Sequence, residues 1–146
     1  MPYDVDAAKK LLADAGYPKG FDVELRCPND RYVNDEAICT AVVGMLGKIG
    51  VNVNLFAQTK SKHFKELKED KGDFYMLGWG VPTLDSHYVF HYLYESGASW
   101  NKVNFSNSEV DAAIRVMEGE VDLDKRNAAI ANAWKIVKDD ISYLPL

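Results

Sequence analysis

Strand and helix patterns alternate over the first half of the chain, and no other feature of the sequence constrains the fold as strongly. Residues 21–27 alternate apolar and charged side chains, as a half-buried strand does, and residues 51–55 and 74–77 are further strand patterns. Helix patterns at residues 34–49 and 60–69 separate these strands. Because strands joined by helical crossovers form parallel sheets, the sequence predicts an α/β fold with a mostly parallel sheet flanked by helices.

Further elements flank this alternation on both sides. Asp4 or Asp6 has the position of an N-cap for a helix that precedes the first strand. Ser106 and Glu109 have the spacing of a capping box, which predicts the start of a helix that Gly119 ends. At 146 residues the chain is expected to form one domain. The remaining predicted elements are helices at residues 4–15 and 122–139 and the start of a strand at residues 141–146.

Two loops of the predicted sheet carry side chains suited to ligand binding. The loop after the first strand contains Arg31 and Tyr32, and the third strand ends in Gly78-Trp79-Gly80. Since the carboxyl ends of parallel strands meet at one edge of a sheet, we expect both loops to lie on that edge. A guanidinium, a phenol and an indole on one rim suit a small organic ligand with an anionic group.

The same residues also have a structural interpretation. Trp79 could cap the core beneath the third strand, because a large aromatic side chain after a buried strand commonly does so. Arg31 could pair with a neighbouring acid such as Asp30 or Asp35, as exposed arginines often do at small benefit. Both interpretations stay open at the level of the sequence.

The charge and hydropathy of the chain exclude several classes of protein. The net charge of −5 and the pI near 5.1 argue against nucleic acid as a partner, since phosphate neutralisation needs clustered Lys and Arg. No apolar run approaches the roughly 18 residues of a transmembrane helix. Met1, Pro2 and Tyr3 lead directly into the first helix pattern, so no signal peptide is predicted in this sequence.

The chain contains two cysteines, Cys27 and Cys39, which are too few for a disulfide framework and lack metal-ligand spacing. A disulfide between them is compatible with an oxidising compartment. The sequence nevertheless favours two buried free thiols.

His87 and His91 lie four residues apart, which is the spacing of two metal ligands on one helix face. No Glu follows His87 as in zinc-dependent proteases, and no third ligand is evident in the sequence. We therefore expect packing or surface histidines here, with no metal ion and no cofactor.

Five segments of the chain, in their order and spacing, resemble the family 5 extracellular solute-binding proteins. These are the dipeptide- and oligopeptide-binding receptors of bacterial ABC importers. The resemblance runs from Tyr3 to Leu146, although no single segment is diagnostic by itself. The segments are YDVDAAKKLLADAGYPKGF, DRYVNDEAICTAVVGMLGKIGVNVNL, GDFYMLGWG, NFSNSEVDAAI and DKRNAAIANAWKIVKDDISYLPL.

The resemblance implies a three-layer lobe of the periplasmic-binding-protein-like II class. Family members are several times longer than this chain, and the match covers only their C-terminal lobe. The chain is therefore expected to be a lobe excised from a longer periplasmic receptor. Its implied partners are a peptide or other small solute, the first lobe of the parent chain and an ABC permease in the membrane.

The resemblance also assigns roles to particular residues. In dipeptide receptors, an Arg in the loop after the first strand of this lobe pairs with the peptide carboxylate, and Arg31 is similarly placed. Tyr32 beside it matches the aromatic role, and Gly78-Trp79 matches the family's Gly-Trp after the third strand. Gly80 completes this glycine-flanked turn.

One position departs from the pattern of the peptide binders. Three residues beyond the Trp, peptide binders carry an Asp that pairs with the α-amino group of the ligand, and this chain has Pro82 there. The next acid, Asp85, matches a structural Asp that often precedes Pro in the family, but Ser86 follows it here. Recognition of a free amine is therefore not expected from Pro82, and Asp85 is the remaining acidic candidate.

Two functions from different classes follow from these residues. The favoured function is a non-enzymatic receptor lobe that closes over a small solute. The alternative is a small α/β hydrolase that uses Asp85, Ser86 and His87. Adjacent residues on a turn rarely point at one another, and the sequence lacks a nucleophile elbow, so we expect no enzyme.

Overall fold

A computed structural model describes residues 3–146, so Met1 and Pro2 lie outside the described residues. The chain divides into two compact units, one that ends at Gly78 and one that comprises Trp79–Leu146. We predicted a single domain over residues 1–146, and the division into two compact units does not test that prediction. None of the helices within residues 3–146 is long and apolar enough to cross a membrane.

The first unit has the predicted order of helices and strands. Asp4 caps the first helix, because its side chain accepts a hydrogen bond from the Ala7 amide at 2.9 Å. The strands are parallel, with β1 between the other two, which confirms the predicted fold class. The elements are α1 Val5–Asp14, β1 Asp22–Pro28, α2 Asp35–Gly47, β2 Asn52–Gln58, α3 Lys60–Lys68 and β3 Phe74–Tyr75.

The two faces of β1 contact different surroundings because its side chains alternate. Leu25 and Cys27 lie in the apolar core together with Cys39 of α2. Arg26 points to the other face, where its guanidinium pairs with Glu66 of α3 at 3.2 Å and lies 3.9 Å from the centroid of the Phe56 ring. The alternating side chains of β1 therefore contact α2 on one face of the sheet and α3 on the other.

A disulfide joins Cys27 and Cys39, so the expectation of two free thiols was wrong. The two Cα atoms lie 6.5 Å apart, within the range that a disulfide bridges. Packing of α2 against β1 brings them together, although they are 12 residues apart in the sequence. Local sequence patterns do not indicate that these two cysteines lie close together.

The second unit is helical. Its core is built from buried side chains of the π-helical segment and of α5 and α6, including Phe90, Ile114 and Val137. Asn101 is also buried, and its side-chain amide donates to the carbonyls of Glu95 and Phe105, which fixes the loop before α5. The elements are α4 Ser86–Val89, a π-helical segment Phe90–Tyr94, α5 Ser108–Gly119 and α6 Leu123–Asp140.

Three details of the secondary structure differ from the predictions. The third strand is limited to Phe74–Tyr75, which pair with Leu25 and Arg26 of β1. Asn107 caps α5 instead of Ser106, and its side-chain oxygen accepts from the Glu109 amide at 2.9 Å. Residues 141–146 form a turn and irregular structure and pair with no strand of the described residues.

Candidate functional site

The loop between β1 and α2 is held by the carboxylate of Asp35. This buried side chain accepts hydrogen bonds from the Arg31 amide at 2.9 Å and from the Tyr32 amide at 3.0 Å. The Tyr32 and Arg31 amides lower the pKa of Asp35 below its usual value, since they stabilise the charged form. Asp35 therefore fixes the backbone from which the two candidate ligand-binding side chains project.

The guanidinium of Arg31 lies beside an aromatic ring and forms no ion pair within the described residues of the first unit. The residue is exposed, and its Cζ atom lies 5.2 Å from the centroid of the Tyr32 ring. Asp35 is bonded to the backbone of Arg31 and not to its side chain. Within residues 3–78 no carboxylate forms an ion pair with this guanidinium, which removes the expected structural alternative of pairing with Asp30 or Asp35 inside this unit.

Tyr32 brings the loop after β1 to the segment after β3. Its hydroxyl donates to the carbonyl of Gly78 at 3.3 Å. A Cβ atom added at Gly78 would lie 2.6 Å from Cε1 of the Tyr32 ring, so the ring rests directly on the glycine backbone. The two loops of the first unit therefore lie on one edge of the sheet, as predicted for Tyr32 and Gly78.

Trp79 opens the second unit and lies among aromatic side chains. Its ring centroid is 5.7 Å from that of Trp100, 5.8 Å from that of Tyr92 and 6.1 Å from that of Tyr88. The indole N–H is buried and has no acceptor within residues 79–146. Gly80 is exposed, and a Cβ atom added there would meet nothing within 4 Å.

Asp85 caps α4 and pairs with a distant arginine. Its Oδ1 atom accepts from the His87 amide at 2.8 Å and from Nη2 of Arg126 at 2.9 Å. The hydrogen bond from Arg126, together with that from the His87 amide, lowers the pKa of Asp85 below its usual value. These contacts fix the end of the turn that follows Trp79.

The Asp85-Ser86-His87 segment does not form a catalytic triad, so the hydrolase alternative is unsupported. Asp85 binds the amide of His87 and not its imidazole. The His87 imidazole instead lies beside Glu118, with Nε2 at 3.4 Å from Oε1. Ser86 Oγ accepts a hydrogen bond from Nε1 of Trp134 at 3.1 Å. The nucleophile and base that acyl transfer requires are therefore not coupled.

Several residues near the predicted ones were missed from the sequence. The i, i+4 spacing of Tyr88 and Tyr92 was a usable signal, since such residues share a helix face and both rings here lie beside Trp79. Trp100 approaches through a loop, and Arg126 approaches Asp85 over 41 residues of sequence. No local sequence pattern predicts either contact.

Comparison with known families gives one match that covers most of the chain. Residues 1–101 match the model of the bacterial extracellular solute-binding proteins, family 5 Middle. Heme-binding protein A of Haemophilus influenzae is 28% identical over 153 aligned residues, which cover 99% of this chain and 27% of that protein.

Solved structures have the same fold. The periplasmic binding protein DppA of Helicobacter pylori in complex with the peptide STSA superposes with a TM-score of 0.86 at 24% identity, over 99% of this chain and 28% of that one. The dipeptide-binding protein of a Pseudoalteromonas species in complex with Met-Leu superposes with a TM-score of 0.85 at 27% identity, over 97% of this chain and 29% of that one. The chain therefore spans less than a third of the length of each of these three proteins.

Proposed function

Since this chain belongs to the family 5 bacterial extracellular solute-binding proteins, which are receptors and not enzymes, we propose that it is one lobe of a periplasmic receptor that delivers a small solute to an ABC permease. Its partner in binding is a second lobe of the same receptor. The share of the relatives that the chain covers supports this proposal, since a lobe accounts for only part of such a receptor. The Cys27–Cys39 disulfide agrees with an oxidising compartment such as the periplasm.

The single observation that carries the binding proposal is the Arg31 guanidinium. It is exposed at the carboxyl end of β1, lies beside an aromatic ring and has no acidic partner within residues 3–78. Planar guanidinium groups bind carboxylates through two parallel hydrogen bonds. We propose that Arg31 binds an anionic group of the solute, with Tyr32 beside it.

The segment from Gly78 to Asp85 supplies the other proposed contacts. Trp79 offers an indole face for an apolar part of the solute, and its buried N–H lacks an acceptor within residues 79–146. Gly80 carries no side chain that would hinder the approach of a ligand to the backbone, and Gly78 leaves room for the Tyr32 ring beside it. Asp85 belongs to the proposed segment as the acid that holds its end, through Arg126 and the His87 amide.

Peptides are the solute class with which the test begins, because structural neighbours were solved with STSA and with Met-Leu. The probe is the dipeptide Met-Leu, together with its C-terminal amide and its N-acetyl derivative. Calorimetry on the complete receptor measures the three dissociation constants. We expect Met-Leu to bind and its C-terminal amide not to bind, because Arg31 needs the carboxylate. We expect the N-acetyl derivative to bind as well, because Pro82 supplies no acid for the amine.

Substitution of Arg31 separates a role in binding from a role in folding. Arg31→Ala should weaken solute binding by about 2 kcal/mol or more and leave the melting temperature of the unliganded protein nearly unchanged. Arg31→Lys should recover only part of the affinity, because an ammonium group does not reproduce a bidentate contact. A lower melting temperature with unchanged affinity would assign Arg31 to the fold. Should no tested dipeptide bind, mass spectrometry of solute released from the denatured receptor identifies the probe for the same variants.

A further inference from the structure

Three side chains that bind metal ions in other proteins converge in the second unit, and none of them belongs to the proposed solute-binding residues. They are His87, His91 and Glu118, and each offers a ligand atom within 4.8 Å of those of the other two. The sequence showed two of these ligands, whereas the third comes from α5 and lies 31 residues beyond His87. Glu118 is a candidate third ligand that was not evident in the sequence.

The helical backbone holds the two imidazoles side by side. His87 lies in α4 and His91 in the π-helical segment that continues it, and their ring centroids are 5.6 Å apart with planes inclined by only 19°. Glu118 approaches from α5, with Oε1 at 3.4 Å from Nε2 of His87. Two nitrogen atoms and a carboxylate thus face one small volume.

A fourth residue lies beside one of the imidazoles. Oε2 of Glu95 lies 2.7 Å from Nδ1 of His91. The two groups are within ion-pair distance, although Nδ1 of His91 forms no aligned hydrogen bond. Carboxylates beside ligating histidines commonly orient the ring, and Glu95 has that position here.

We propose that His87, His91 and Glu118 bind a divalent transition-metal ion, with Zn²⁺ the favoured ion and Glu95 as a positioning residue. Two imidazoles and one carboxylate are a donor set that Zn²⁺ accepts, and the fourth position of a tetrahedral site stays open for water or another donor. Mg²⁺ and Ca²⁺ prefer sites made of oxygen atoms only and should not bind here.

The side chains have the freedom that metal binding requires. In a tetrahedral zinc site, neighbouring ligand atoms are roughly 3.3 Å apart, so the present spacing has to shorten. The side chains of His87, His91 and Glu118 are 30%, 42% and 49% exposed, and small rotations about their side-chain torsions can bring the three ligand atoms together.

The test uses the purified protein without a histidine tag, stripped of metal with a chelator and titrated with ZnCl₂ by calorimetry. We expect one Zn²⁺ per chain with submillimolar affinity and no binding of MgCl₂. Glu118→Gln and His91→Gln should weaken Zn²⁺ binding at least tenfold, because each removes a ligand. Glu95→Gln should weaken it about tenfold through the orientation of His91. Glu109→Gln, an exposed acid on the same helix as Glu118, is the matched control and should change nothing.

Nuclear magnetic resonance of the histidine ring nitrogens provides a second readout on the unaltered protein. Zn²⁺ should shift the ring signals of His87 and His91 and leave those of the buried His63 in place. Absence of submillimolar Zn²⁺ binding would overturn the proposal. The proposal would also be overturned if Glu118→Gln left Zn²⁺ binding unchanged. A shift of the His63 signals without shifts at His87 and His91 would overturn it too.

Discussion

At the scale of single residues, Tyr32 connects the two loops of the first unit at the candidate site. Its hydroxyl bonds the carbonyl of Gly78, and its ring occupies the space that a side chain at Gly78 would need. Asp35 fixes the backbone of the same loop through the Arg31 and Tyr32 amides. The backbone of the loop that carries Arg31 therefore depends on the carboxylate of Asp35 and on the contact between Tyr32 and Gly78.

Gly78→Ala should displace the Tyr32 ring, because the new Cβ atom would lie 2.6 Å from Cε1 of that ring. We expect the free energy of unfolding to fall by about 1 kcal/mol as the hydroxyl bond and the ring contact are lost. Denaturant titration measures this change. Gly80→Ala is the matched control, since its Cβ atom would meet nothing within 4 Å.

A double-mutant cycle shows whether the cost at Gly78 arises from Tyr32. In the background of Tyr32→Ala, the substitution Gly78→Ala should have almost no effect on stability, because the ring that it would contact is absent. An equal cost in both backgrounds would mean that Gly78 is required for another reason.

At the scale of secondary-structure elements, two connections hold the sheet edge together. The disulfide joins β1 to α2 and encloses the loop that carries Arg31 and Tyr32. On the other face, the fully buried imidazole of His63 in α3 lies with Nε2 at 3.0 Å from the carbonyl of Met76, just after β3. Each connection makes a prediction about stability.

Loss of the disulfide should lower the free energy of unfolding by about 3 kcal/mol, because closing a loop of this length restricts the unfolded chain. Denaturation curves recorded with and without a strong reductant measure the difference. The double variant Cys27→Ala/Cys39→Ala should give the same curve under both conditions. A dependence on reductant in that variant would point to a cause other than this bond.

His63 should make the protein less stable below neutral pH. Burial lowers the pKa of His63 in the folded state, since desolvation disfavours the imidazolium ion. Below about pH 6.5 the unfolded chain therefore binds a proton that the folded chain resists, and stability falls as the pH decreases from that value. Melting temperatures from pH 8 to pH 5 measure the trend.

The acidic residues do not obscure this window. Asp35, Asp85 and Glu66 have lowered pKa values in the folded state, so their contributions to stability are lost as the pH falls from the ordinary carboxyl pKa of about 4 through those lowered values. His63→Leu should flatten the melting temperature between pH 8 and pH 5. An unchanged slope in that variant would assign the effect to another group.

At the scale of the whole molecule, the chain covers less than a third of the length of heme-binding protein A and of the two superposed peptide-binding proteins. Receptors that close over a ligand obtain affinity from contacts with both lobes and from the exclusion of water. We therefore propose that the surface formed by this chain supplies only part of the binding free energy.

The chain alone should bind the solute far more weakly than the complete receptor. If half of the contacts are missing, a loss of about 4 kcal/mol in binding free energy is expected. A loss of that size weakens binding roughly a thousandfold. Calorimetry with the same solute on both proteins makes the comparison. Nearly equal dissociation constants would show that this chain holds the entire binding site. Arg31→Ala in the complete receptor is the reference for the loss of a single contact.

The sequence by itself determined those features that depend on short stretches of chain. The alternation of strand and helix patterns predicted a parallel sheet, since a helix between two strands returns the chain to the end of the sheet at which the first strand began. The sequence narrowed the N-cap of α1 to Asp4 or Asp6, because a cap lies next to the turn that it closes, and the structure has Asp4 there. The placement of Tyr32 and Gly78 on one edge followed from the parallel order of the strands.

Only the tertiary structure decided which distant side chains meet. The bond between Cys27 and Cys39 depends on how α2 packs on β1, and the pairing of Asp85 with Arg126 spans 41 residues. Glu118 reaches His87 for the same reason, because α5 packs beside α4. Local periodicity reports which face of an element is apolar but not which neighbour covers it. The partners of polar and sulfur-containing side chains were therefore set by packing over long sequence separations.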